Sequence, residues 1–175
     1  GLWWKWKRDP FTVDAVLKAV DALLWHHKVG EVAVIEKVRF TGPPPGRIPN
    51  PTAQGAGNPL IIPAYTFLPR KLDRSRKHPL LVLVHGGVHA NFSSSAANIV
   101  RELIGQGYVI IAPEYRGSTG YGGEFYRQID YGGLENDDVF AGHESLSRQR
   151  ATDDGSTNDG AAGKEFDAHD VIAAS

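Results

Sequence analysis

Five consecutive apolar residues, Leu80–Val84, run straight into His85-Gly86-Gly87, and no other stretch narrows the choice of fold as much. An unbroken apolar run of this length fits a strand buried on both faces, as inside a parallel sheet. Two adjacent glycines then let the backbone turn sharply and leave its N–H groups uncovered by side chains. Uncovered N–H groups at the end of a buried strand can stabilise negative charge on an oxygen atom.

The pattern repeats downstream. Ser93, Ser94 or Ser95 can cap a helix that carries Ile99, Val100, Leu103 and Ile104 on one face and stops at Gly105 and Gly107. Tyr108–Ala112 (YVIIA) is a second buried strand. Strand, helix and strand joined by short returns predict a right-handed βαβ unit with parallel strands. The loop PEYRGSTGYGG, 113–123, leaves the carboxyl end of that strand, which is where open α/β sheets bind ligands. A short helix is predicted over 124–129 and a longer one over 135–146, with Val139, Phe140 and Leu146 inward.

Upstream, Asp9-Pro10 or Thr12 can start a helix. Val13, Val16, Leu17, Val20, Leu23 and Leu24 recur at helical spacing until Gly30, which predicts an amphipathic helix with one apolar stripe. Val32, Val34, Val38 and Phe40 then alternate, so 31–40 reads as a strand. Proline and glycine make 41–59 a long loop. Residues 60–68 form a second strand, and Pro63 within it predicts an edge or a bulge. The two strands are expected to pair as an antiparallel ribbon at one side of the sheet. After Ser147 the apolar periodicity fails, and 148–175 is expected to be an irregular tail.

Composition excludes several classes of function. A net charge of −1 gives no field that would draw nucleic acid or an anionic lipid surface. With Cys 0, disulfides, thiolate metal sites and cysteine nucleophiles are ruled out. No metal site and no cofactor are predicted, and no apolar run approaches a membrane span. The opening GLWWKWKRDP lacks the apolar core of a signal peptide, and Trp3, Trp4 and Trp6 are expected to pack on a soluble domain. The compartment is left unassigned. Gly at residue 1 and Met 0 lead to the expectation of a processed or partial chain.

Three segments together resemble the prolyl oligopeptidase and acylaminoacyl-peptidase family of serine hydrolases: HPLLVLVHGGVH (78–89), GYVIIAPEYRGSTGYGGEFY (107–126) and YGGLENDDVFAG (131–142). The likeness extends over roughly Val29 to Gly142 and includes IPAYTFLP at 62–69. It implies an α/β-hydrolase domain and cleavage of peptide or ester substrates through an acyl-enzyme. It also implies that His85, Gly86 and Gly87 form a loop facing the substrate carbonyl. Arg116, Gly117 and Tyr121 would then shape and support the site. Asp137 and Asp138 would begin the helix that precedes the nucleophile strand, as carboxylates favoured by the helix dipole without a catalytic role. The implied organisation is an N-terminal helical segment over 1–30, an incomplete α/β-hydrolase domain over 31–147 and the tail.

The family's nucleophile stands in a G-x-S-x-G elbow between a strand and a helix. Nothing after Gly142 reads as that strand and elbow, so no catalytic residue is assigned and the chain is expected to be inactive as it stands. The alternative is a non-catalytic interaction module built on the same fold. An absent elbow strand would leave 80–84 as an open sheet edge, available for self-association. Other patterns imitate chemistry. Ser118 lies in Arg116-Gly117-Ser118-Thr119-Gly120, but an arginine stands where the first glycine belongs. Ser156, Asp167 and His169 follow triad order in a segment with nothing to position them. Asp154, Ser156, Asn158 and Glu165 are spaced as in a calcium loop, but Asp159 occupies the obligatory glycine position. His85 and His89 are four apart on a glycine turn rather than a helix, which does not make a zinc pair.

Overall fold

The computed structural model describes residues 10–73, 75, 77–153 and 171–174, with the backbone alone for 148–153 and 171–174. The tryptophans at 3, 4 and 6, the triad-like order and the calcium-loop spacing all lie outside these residues.

Among the described residues five strands form one sheet: β1 (Ala33–Thr41), β2 (Ile61–Pro69), β3 (Leu80–His85), β4 (Val109–Pro113) and β5 (Val171–Ala174), in the order β1-β2-β4-β3-β5. β2 is antiparallel to both of its neighbours, with Lys37 opposite Tyr65 and Tyr65 opposite Ala112. β3 runs parallel to β4, with Leu81 opposite Ile110, and parallel to β5, with His85 opposite Ala174. The helices are α1 (Pro10–Val29), α2 (Ala97–Gly105), α3 (Gly123–Tyr126) and α4 (Leu134–Asp153). The ribbon β1–β2 and the unit β3–α2–β4 arise where the sequence places them. The whole is a mixed sheet, an antiparallel ribbon joined to a parallel βαβ unit, with flanking helices.

Each sheet face carries its own core. On one side, α1 and α2 cover Tyr65, Phe67, Leu81, Leu83 and Ile110. Trp25 of α1 is fully buried there, stacked on Phe92 with ring centroids 5.2 Å apart and tilted against Phe67 at 4.9 Å. On the other side, Leu146 of α4 packs with Phe40, Ile62, Leu80, Val82 and Ile111. Strand β1 serves both cores in turn. Ala33 and Ile35 point to the Trp25 side, while Val38 and Phe40, on the opposite face, point to the Leu146 side. Val34, on the same face as Val38 and Phe40 but at the start of the strand, is exposed.

Several expectations are corrected. The stripe on α1 faces outward. Its inward residues are Lys18, Trp25 and Val29, with Asp21 and Lys28 bonded to the Ser94 turn. Phe140 is exposed, whereas Val139 is partly buried in the core. Pro63 sits on an inner strand. Its carbonyl accepts the Glu114 N–H at 2.8 Å where the β2–β4 ladder ends, so its missing donor falls on the last rung. None of Ser93, Ser94 and Ser95 caps α2. A 3-10 turn, Ser94–Ala96, precedes the helix, and the carboxylate of Asp21 accepts the Ser94 N–H at 3.0 Å. The long helix continues to Asp153, past the expected start of the tail, and 171–174 forms a strand. That strand pairs with Val82–His85, so the edge expected to be open is paired from Val82 onward.

Candidate active site

The turn after β3 is the centre of the site. Gly87 has φ +75°, a left-handed conformation that strains any other residue, and Gly86 and Gly87 are both exposed. Tyr115, two residues past the end of β4, holds this turn from one side. Its ring stacks on the His85 imidazole with centroids 4.3 Å apart. Its hydroxyl lies 3.1 Å from the carbonyl oxygens of both His85 and Gly87. A trans peptide points its N–H opposite to its C=O. With both carbonyls turned to Tyr115, the N–H groups of Gly86 and Val88 point away from it. The loop can thus offer N–H donors to an oxygen on the side away from Tyr115.

His85 itself is turned inward and buried. The Ser118 hydroxyl is 2.6 Å from the Tyr115 carbonyl, which can only accept, so the hydroxyl proton lies there. His85 Nε2, 2.9 Å from Ser118 Oγ, must then be the donor. Nδ1 is left as an acceptor, 3.2 Å from the Tyr115 hydroxyl. Glu114 Oε2 lies 3.5 Å from the same Nε2. This contact does not make a catalytic pair. Ser118 is fully buried, its proton is committed to a carbonyl, and the carboxylate sits on the nitrogen that a nucleophile would need.

Burial pushes His85 down to about 4 from the usual 6.5, so the imidazole is neutral near pH 7. An unfolded chain takes up this proton near 6.5, while the folded chain resists until about 4. The unfolded state binds more protons in that window, so stability contributed by His85 is lost as pH falls through it, up to about 3 kcal/mol. Glu114 acts in the opposite sense, because burial raises its carboxyl. The test is therefore a comparison of the wild type with His85→Asn in urea at about pH 7 and about pH 4. The stability gap between them is expected to shrink by about 3 kcal/mol at the lower pH; an unchanged gap counts against the assignment.

Two buried ion pairs lock the surrounding loops. Arg116 and Asp138 are both fully buried. Arg116 donates from Nε to Oδ2 at 2.9 Å and from Nη2 to Oδ1 at 2.8 Å, and its backbone N–H also reaches Oδ2 at 2.8 Å. Nη1 and Nη2 also donate to the carbonyls of Pro44 and Pro43, at 3.1 Å each. Asp138 is therefore a structural partner rather than a residue kept for the helix dipole. Burial raises its carboxyl, with Arg116 pulling the other way. Gly117, at φ +94°, lets this loop pass close to Ile129, where an added Cβ would come within 2.9 Å.

The second pair joins α1 to the site. Lys18 is ion-paired with Glu114 and donates to the Phe92 carbonyl at 2.5 Å and to Asn91 Oδ1 at 3.1 Å. Glu114 Oε2 accepts the Phe92 N–H at 3.1 Å, and the Tyr121 hydroxyl also bonds this carboxylate. Burial raises Glu114, with Lys18 pulling it back. Tyr121 thus reaches the turn through Glu114. His89 donates from Nδ1 to the Gly117 carbonyl at 2.9 Å and stacks on Tyr126, away from His85's partners.

Sequence reasoning named His85, Gly86, Gly87, Arg116, Gly117 and Tyr121, and passed over Tyr115, Glu114 and Lys18. The first two stand in the loop already singled out, in PEYRG, where their polarity beside a buried strand was the available signal. Lys18 gave none, because its partner lies 96 positions away. A cleft of about 620 Å³ adjoins the turn, lined by Val84, His85, Gly87, Tyr115, Val139 and Phe140 among others. Among the described residues no cluster of three His, Cys, Asp or Glu could hold a metal ion, and no helix is long and apolar enough to cross a membrane.

A sequence profile of the prolyl oligopeptidase family matches residues 91–157, a stretch that continues past Gly142, where the motif likeness stops. Probable dipeptidyl-peptidase 5 of Aspergillus clavatus is 36% identical over 87 residues, which are 47% of this chain and 12% of that protein. Dipeptidyl-peptidase 5 of Schizosaccharomyces pombe is 33% identical over 89 residues, 49% of this chain and 13% of that one. Among solved structures, a puromycin-hydrolyzing peptidase of Mycobacterium tuberculosis matches with a TM-score of 0.53 at 24% identity, over 67% of this chain and 17% of the other. This chain therefore spans about an eighth of the length of these curated relatives.

Proposed function

We propose, from the premise that this chain belongs to the prolyl oligopeptidase family of α/β-hydrolases, that it carries the oxyanion half of an acyl-transfer site for peptide or ester substrates. The turn His85-Gly86-Gly87 supports this reading most directly. It follows the sheet strand whose loop supplies an oxyanion donor in α/β-hydrolases, and Tyr115 holds its carbonyls so that its N–H groups face the other way. Losing one such donor typically costs on the order of 10²–10³ in rate. Arg116, Gly117 and Tyr121 act as supports for the turn and not as reacting groups.

The nucleophile in this fold stands at the end of the strand next to the oxyanion strand. β5 occupies that place, with Ala174 opposite His85. Ser118, the hydroxyl bonded to His85, is buried and commits its proton to the Tyr115 carbonyl, which leaves it no nucleophile's role. We read the described residues as holding no nucleophile beside the turn, and the burial of Ser118 leaves a non-catalytic interaction module as the second reading.

A fluorophosphonate probe separates the two. The 175-residue chain should remain unlabelled. A chimera that continues Ala174 with the corresponding remainder of the Aspergillus clavatus relative should be labelled on the serine of its elbow. The chimera should also hydrolyse an aminoacyl ester. An inert but folded chimera supports the non-catalytic reading. Labelling of the 175-residue chain on Ser118 overturns the assignment of the turn and its partners.

A further inference from the structure

Helix α1 is built inside out. Between residues 13 and 24 its exposed positions are Val13, Ala15, Val16, Leu17, Ala19, Val20, Leu23 and Leu24, and none of them is charged. The charged residues of that stretch, Asp14, Lys18 and Asp21, lie on the other side. Lys18 is anchored to Glu114 and to the Phe92 carbonyl, and Asp21 accepts the Ser94 N–H. Two turns after Asp21, Lys28 donates to the Ser94 carbonyl at 3.0 Å. These anchors, with Trp25 sunk in the core, prevent the helix from rolling its stripe inward. The six Val and Leu side chains of the stripe stay 41–70% exposed. A contiguous uncharged surface of this kind on a soluble domain marks an interaction site.

We propose that this face of α1 pairs with the same face of a second copy, antiparallel about a two-fold axis. Two observations favour a second copy over other occupants. The first is spacing. Val13, Leu17, Val20 and Leu24 stand at the same intervals read in either direction along the helix. A two-fold axis passing between Lys18 and Ala19 sets Leu17 of one copy against Val20 of its partner, and Val13 against Leu24. An isologous contact requires such self-complementarity. The second is area. The exposed parts of the six large side chains amount to about 550 Å² per copy, so pairing removes at most about 1,100 Å² in all, which clears the roughly 1,000 Å² needed and fits a weak, reversible dimer. A membrane surface is disfavoured, because amphipathic helices that bind lipid carry lysine or arginine along the polar flank, and the exposed residues from 13 to 24 carry none.

The chain has no native cysteine, so engineered thiols report the geometry directly. Sedimentation of the full chain from about 1 to about 100 µM should show a reversible dimer, and Leu17→Glu should weaken it on the order of thirtyfold or more without changing the far-UV spectrum. On oxidation, Val13→Cys/Leu24→Cys should give a covalent dimer, because the two positions lie about 16 Å apart within one helix and meet only between antiparallel copies. Val13→Cys alone should not. The proposal is overturned by a monomer over the whole range, by a dimer that Leu17→Glu leaves intact, or by ready cross-linking of Val13→Cys alone. It is equally overturned if deletion of residues 1–9 turns a monomer into a dimer, since the occupant would then be the chain's own amino-terminal segment.

Discussion

Asp138→Ala is expected to lower unfolding stability by about 3–5 kcal/mol, the usual result of removing one partner of a buried ion pair. The Arg116 guanidinium would be left fully buried with no counter-charge, holding only the carbonyls of Pro43 and Pro44. Domains are typically stable by about 5–15 kcal/mol, so a loss of this size brings the fold close to its limit. The effect should also appear locally. With the guanidinium no longer fixed, the loop beyond Gly42 loses its hold, and trypsin should cut after Arg47 much faster than in the wild type. Arg116→Lys should not spare the protein, because a single ammonium cannot make the paired bonds to the carboxylate and reach two carbonyls as well. Urea unfolding and timed proteolysis check both statements. A loss under about 1 kcal/mol would mean the pair is far more hydrated than its burial indicates.

Lys18→Met should be nearly as damaging, again about 3–5 kcal/mol, because it strands Glu114 in the core beside a neutral imidazole. Unlike the first case, this loss should be recoverable. Adding Glu114→Gln removes the stranded charge and keeps an oxygen for the Phe92 N–H. The double variant should regain all but about 1–2 kcal/mol of the loss. Simple addition of the two single effects would show that Lys18 and Glu114 are not coupled. Because Glu114 also holds Tyr121 and lies 3.5 Å from His85, Lys18→Met alone should disturb the glycine turn as well as stability. Amide exchange at Gly86 and Gly87 would report this.

The strands were legible because their signal is local. Leu80–Val84 and Tyr108–Ala112 are apolar without interruption, and the glycine pair after the first marks the turn that the site is built on. What was not legible depends on partners distant in sequence. Periodicity in α1 identifies an apolar stripe but cannot say which side meets the sheet. The answer lies in Trp25 and in Lys18 reaching Glu114. The same reasoning covers Asp138, whose role depends on Arg116 and two proline carbonyls. Phe140 is a case of phase, since α4 turns Leu146 to the core and leaves Phe140 outside. Strand β5 was missed because Val171–Ala174 is half alanine and only four residues long, too little for a periodic signal. Its pairing with β3 is what makes it a strand.

The clasp that Arg116 places on the proline-rich loop takes only main-chain oxygens, at Pro43 and Pro44, and Gln128 takes another at Arg47. Such recognition is blind to side chains. Across the exposed turns between Asn50 and Gly57 the protein can therefore accept wide sequence drift, or a spliced-in epitope or reporter, provided the two ends still meet at the Gly42–Leu60 bridge. That makes this span the natural place to tag the molecule without disturbing either face of its sheet.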